Sequence, residues 1–159
     1  MAETEEKYSP GLAGVIAGET DIACVDQGVL LYRGYPIEQL ADHSTFEEVA
    51  HLLLFGELPK PDQLKSLKAT LDKYRPLEPK LVDALRNIPK GVAMMDVLRS
   101  MVSYAGHFDP TKGSDVPAQQ ERAIFLTAQI AGIIAARYRL LTGKEPLTPK
   151  AGLSHAAQL

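Results

Sequence analysis

Apolar positions in this chain change period once. Residues 22–25 and 29–32 are short extended runs of apolar and β-branched side chains, and Asp26-Gln27-Gly28 between them has the composition of a hairpin turn. These two runs are expected to be the only strands. Gly34 breaks the extended stretch, and a short helical turn is expected from Ile37 to Leu40. From Ser44 onward the apolar residues recur at three and four, the spacing of one helix face. A lone hairpin is marginal in water, so the helices must supply what it packs on.

The helices come with their own punctuation. Ser44 with Glu47, and Thr45 with Glu48, both fit a capping box at the head of a helix carrying Phe46, Val49, Leu52, Leu53 and Leu54. Gly56 stops that helix and Pro59 follows. Pro61 suits the first turn of the next, in which Leu64, Leu67, Leu71 and Tyr74 share one face and Lys65, Lys68, Asp72 and Lys73 the other. Pro76 ends it. A fourth helix is predicted over 79–87, with Leu81, Val82, Leu85 and Ile88 inward, and Pro89-Lys90-Gly91 stops it. A fifth is predicted over 94–106, with Met94, Val97, Leu98, Met101, Val102 and Ala105 inward. Its methionines read as core filling.

Residues 107–117 form a polar loop with two prolines and Gly113, the best candidate for a proteolytic site. A long helix is predicted over 118–141. Its centre is apolar nearly all round, and Ala128, Ala131, Gly132, Ala135 and Ala136 would admit a second helix closely. Gln129 and Arg137 interrupt it, and the span is judged too short to cross a membrane. After Gly143, Pro146 and Pro149 hold the chain extended, and a further helix is expected to begin near Ser154. Because that pattern stops after a few residues, the chain reads as an N-terminal fragment.

Composition narrows the function classes. The chain has 159 residues, with 45% hydrophobic and 23% charged positions, as in a globular domain. A net charge of −3 lacks the basic stripe that nucleic acid requires. The acidic start MAETEEKYSP has no apolar signal core, so a cytoplasmic protein with no membrane partner is expected. Residues 1–9 read as a polar lead-in, and Pro10-Gly11 as a turn. The single cysteine, Cys24, excludes an internal disulfide and is expected to be a buried, inert thiol.

Candidate chemistry is sparse. Gly11, Gly14 and Gly18 are not followed by a phosphate-loop lysine or a dinucleotide fingerprint. His43, His51, His107 and His155 are far apart, and no metal set is readable. His43 is expected to be solvated and His51 to lie on the polar edge of its helix as a surface or packing residue. Asp96 and Arg99 read as an exposed i, i+3 pair. No nucleophile with its base can be identified.

The literal strings carry more than the spacing does. RGYPIEQLA, then FEEVAHLLL, then GELP, preceded by YSPGLAGVIAGETDIACVD, closely resembles the N-terminal part of the citrate synthase family, which includes 2-methylcitrate synthases. The likeness runs from about Tyr8 to the end. It implies a mainly α-helical fold with one small β-hairpin. Residues 1–159 would be the N-terminal portion of the large helical domain, and the catalytic C-terminal part would be absent. It also implies a homodimer with helix–helix packing, the long apolar helix lying at or near the interface. LSHAA resembles the family segment that leads toward the catalytic region.

The family joins the methyl carbon of acetyl-CoA, or the equivalent carbon of propionyl-CoA, to the ketone of oxaloacetate. An aspartate removes the proton, one neutral histidine hydrogen-bonds the enol oxygen, a second protonates the ketone, and the thioester is then hydrolysed. No cofactor beyond the acyl-CoA substrate is implied. None of those catalytic residues matches a position here, so none is assigned, His155 included. The family's Ser-His-Pro-Met-Asp start to the fifth helix is replaced by Val92, Ala93, Met94, Met95 and Asp96, which leaves altered specificity open. Arg75, ahead of the fourth helix, is the one candidate substrate contact, weighed against a surface arginine near a helix end. The alternative to a condensing enzyme is a non-catalytic helical dimerisation module or split-enzyme subunit of the same descent.

Overall fold

The computed structural model describes residues 14–16 and 18–159. The lead-in and the Pro10-Gly11 turn lie outside the described residues.

A three-stranded antiparallel sheet opens the fold. β1 (Ala23–Asp26) pairs with β2 (Val29–Tyr32), and β2 pairs with β3 (Tyr35–Pro36). Gln27 at φ 48° and Gly28 at φ 84° make the tight turn between the first two. Successive left-handed residues match strand twist in a two-residue hairpin. The third strand was not expected. Arg33 at φ 48° and Gly34 at φ 85° repeat the same turn, so the break at Gly34 is a second hairpin rather than an exit. Tyr35 and Pro36 are too few to register as a run in sequence.

Six helices follow. α1 spans Ile37–His43 and α2 spans Phe46–Phe55. Of the two capping boxes, Thr45 forms one with Glu48: the Thr45 N–H donates to Glu48 Oε2 at 2.7 Å, and Glu48 N–H donates back to Thr45 Oγ1 at 3.4 Å. Glu47 is instead turned inward. Gly56, at φ 88°, ends α2 as expected. Leu52 is fully buried, whereas Leu53 and Leu54 are half-buried and Phe46 is 47% exposed. The apolar face of α2 is therefore narrower than its sequence suggests.

α3 (Pro61–Tyr74), α4 (Pro79–Asn87) and α5 (Met94–Ala105) match their predicted spans closely. Leu67, Leu71 and Tyr74 meet Ile124, Phe125 and Ala128 in one cluster. Leu81, Leu85, Val97, Met101 and Ala105 meet Ile133 and Ala136 in another. Both clusters share α6 (Val116–Leu141), the helix around which α3, α4 and α5 assemble. α6 begins earlier than predicted because the Asp115 carboxylate accepts the Ala118 N–H at 3.2 Å and caps the helix. Pro117 then sits in its first turn, where no N–H is needed. The loop before it is tied to α6: Arg122 Nε donates to Asp109 Oδ2 at 2.6 Å.

The expectation that this last helix is too short for a membrane is corrected. At 26 residues, α6 is long and apolar enough to cross one by length and composition. Its two interrupting polar residues show why it serves here as a core helix. Gln129 Nε2 donates to Tyr74 O at 2.5 Å and Pro76 O at 3.2 Å, at the end of α3. Arg137 does the same at the end of α4. Gly132 lets α6 pass the turn into α4: a Cβ there would stand 3.0 Å from Leu77 Cδ2. The expected final helix is also corrected. Residues 144–150 run without regular structure, Ala151-Gly152 turn the chain with Gly152 at φ 81°, and Ala156–Gln158 form a single 3-10 turn. Ser154 Oγ accepts the Ala157 N–H at 3.2 Å, but the turn is not continued.

Candidate functional site

The extended segment after α6 crosses back over α4 and α6. Between them lies a groove of about 900 Å³. Its floor is the small-residue face of α6 that the sequence singled out: Ala128, Ala131, Gly132, Ala135 and Ala136. α3 covers Ala128 and α4 with α5 covers Ala136, so the face is only partly open, with Gly132 and Ala135 half-buried in the groove. Arg75 and His155 line the groove, and Arg86, Arg139 and Lys144 add positive charge along it. Arg86 forms a two-pronged pair with Glu145, one N–O distance being 2.8 Å. Arg139 Nε donates to Glu145 O at 2.6 Å.

Arg75 is not the surface residue its place at a helix end suggested. It is 4% exposed, with Nε 3.1 Å from Asp72 Oδ1. Its Nη1 is buried without a hydrogen-bond partner. Burial follows from register: Arg75 continues the Leu67, Leu71 face of α3 as the chain turns under the groove.

The histidines separate by environment. His43 ends α1 in solvent. His51 is a packing residue: it is buried against Phe55, and its Nδ1 lies 2.8 Å from Glu57 O. His107 is exposed beside Tyr104, with ring centroids 5.9 Å apart. His155 is buried, stacked on Phe46, with its backbone N–H 2.8 Å from Glu47 Oε1. Burial, then the positive charge of Arg75, lowers the His155 pKa below the ordinary histidine value, while Glu47 opposes them.

Among the described residues no group of His, Cys, Asp and Glu could hold a metal. Cys24 is exposed, contrary to expectation, because no described residue is layered over the outer positions of β1. Asp96 and Arg99 form the expected exposed pair at 3.3 Å. Sequence reasoning missed Glu47, which it used as a cap and the fold uses as a buried acceptor. The only sequence signal was that two overlapping capping boxes cannot both form.

Comparison with known proteins sets this geometry in context. The family model described as "Citrate synthase, C-terminal domain" matches residues 11–159. The citrate synthase of Deinococcus radiodurans is 38% identical over 150 residues, 92% of this chain and 40% of that protein. The 2-methylcitrate synthase 1 of Corynebacterium glutamicum is also 38% identical, over 92% of this chain and 39% of its own length. The fold matches the citrate synthase from Thermotoga maritima with a TM-score of 0.79 at 35% identity, covering 93% of this chain and 39% of that one. The citrate synthase from Pyrobaculum aerophilum matches with a TM-score of 0.85 at 33% identity, covering 92% and 40%. The chain thus spans about 40% of the length of the relatives it matches.

Proposed function

Because the chain belongs to the citrate synthase family, we propose that it supplies part of the large helical domain of an enzyme condensing an acyl-CoA with oxaloacetate. The observation that carries this reading is the joint match of sequence and fold to the Thermotoga enzyme across 93% of the chain. Relatives of equal identity bear the names citrate synthase and 2-methylcitrate synthase, so acetyl-CoA and propionyl-CoA are both substrates to test. The whole enzyme is a cytoplasmic acyltransferase and a homodimer in this proposal. The groove face of α6 is where a further helix, from the same chain or a second copy, would pack. No cofactor is required beyond the acyl-CoA.

Arg75 is the chain's proposed contribution to substrate handling. A guanidinium with an open N–H in a groove suits a carboxylate, since charge-assisted bonds to planar acids are strong and directional. The acid–base residues of the reaction are proposed to lie outside residues 1–159.

The test is a chimera. The matching part of the Deinococcus radiodurans enzyme is replaced by this chain, and free thiol release is followed with oxaloacetate and either acyl-CoA. Activity in the chimera together with none in the isolated chain is the expected outcome. Thiol release by the isolated chain would refute the placement of the catalytic groups. A folded but inactive chimera would favour the non-catalytic helical module.

A further inference from the structure

Residues 150–159 are attached to the helices at few points. Gly152 N–H donates to Asp72 Oδ2 of α3 at 2.9 Å. His155 N–H donates to Glu47 Oε1 of α2 at 2.8 Å. The imidazole lies flat on Phe46, with centroids 4.2 Å apart and 9° between the planes. Gln158 Nε2 donates to Lys150 O and closes the segment on itself. Within this stretch His155 alone is buried. Leu153, Ala157 and Leu159 line the groove above α6.

We propose that residues 150–159 are a strap over the groove, latched by the neutral imidazole of His155 and released when that ring takes up a proton. The latch has the geometry of a switch. His155 Nδ1 is buried with no partner, so protonation would add an unpaired positive charge at a nitrogen that has no acceptor to receive its N–H. α3 presents Arg75, which repels an imidazolium, and Asp72, which attracts one but is engaged with Gly152 and Arg75. α2 presents Glu47, whose Oε1 already holds the strap's amide. α4 and α6 line the groove with Asp83, Arg86 and Arg139, two of the three positive.

Burial and Arg75 together outweigh Glu47, and they hold the docked imidazole below the ordinary value of 6.5. A released strap exposes the ring to water and returns it to that ordinary value. Docking is therefore strongest above the released value and weakens as pH falls through it. Release would take Leu153, Ala157 and Leu159 away from the groove above α6, making access to the groove depend on pH.

The experiment is amide exchange and imidazole titration by NMR on the chain, from about pH 8 to about pH 5, the range in which histidine changes charge. After correction for intrinsic exchange, the Gly152 and His155 amides should lose protection on acidification. The slope should approach, without exceeding, about tenfold per pH unit, the limit for one proton. In His155→Gln the pH dependence should vanish while the core amides of Leu52 and Ile133 stay protected. Protection that is flat with pH in the parent chain overturns the proposal, as does an unchanged slope in the variant. If His155→Gln releases the strap at every pH, the parent imidazole decides: a midpoint below 6.5 supports the latch, and one at or above 6.5 rejects it.

Discussion

Arg137, on α6, holds the carbonyl of Leu85, on α4, with Nη1 at 3.1 Å. The same guanidinium reaches Ile88 O at 3.0 Å and Pro89 O at 2.7 Å. The last carbonyls of a helix have no partner within it, and an end buried in a core must find donors elsewhere. Pro89 ends α4 without supplying one. A planar guanidinium with several N–H groups can serve three carbonyls at once, which an ammonium on a flexible stem cannot match in fixed geometry.

The first prediction concerns this clamp. Arg137 is 2% exposed, so Arg137→Met should cost on the order of 3 kcal/mol, from the lost charge-assisted bonds and the carbonyls left dry. Arg137→Lys should recover only part of this. Arg99→Ala, at an exposed pair, should change stability by less than about 0.5 kcal/mol. Urea unfolding midpoints at a common m-value would measure all three. Equal effects for Arg137→Met and Arg99→Ala would show that the clamp contributes nothing.

The second prediction concerns which leucine of α2 faces the core. The sequence treats Leu52, Leu53 and Leu54 alike, but only Leu52 is at 0% exposure. Leu52→Ala should cost about 2–5 kcal/mol, and Leu52→Asp should abolish soluble folding. Leu53→Ala should cost clearly less, because Leu53 is half-buried and its carbonyl, which accepts from Arg33, is untouched by the change. Lys65→Glu, on the exposed face of α3, should be tolerated. Soluble yield would report on Leu52→Asp, and thermal unfolding would rank the other three variants. A larger loss at position 53 than at 52 would show the facing of α2 to be wrong.

The third prediction uses the head of α2. Backbone and side-chain hydrogen bonds from Thr45 hold the Glu48 carboxyl below its usual pKa. A depressed carboxylate stabilises the fold above its unfolded value and loses that contribution as pH falls through the folded value. The stability of the parent chain should therefore decline below about pH 4.5, and Thr45→Ala should flatten part of that decline. At neutral pH, Thr45→Ala should cost about 1 kcal/mol and Ser44→Ala much less. If Ser44→Ala proved the costlier change, the other capping box would be the real one.

Much of this protein is written locally. The hairpin turn at Gln27-Gly28, the stop at Gly56, the start of α3 at Pro61 and the extents of α3, α4 and α5 each depend on residues within one turn of each other. Such features are legible because the backbone constraints of Gly and Pro, and the period of the apolar face, act at short range. The family strings near the start were legible in the same way. Tertiary structure decided what depends on contacts far apart in the chain. Glu47 became a buried acceptor only because His155, 108 residues later, docks on it. Gln129 and Arg137, which read as interruptions of an apolar helix, became donors to helix ends 48–55 residues earlier. Arg75 was buried, and Cys24 exposed, by what happens to pack over each. A residue's type fixes which bonds it can make, but its partner is set by where the rest of the chain passes, and no period along the sequence encodes that.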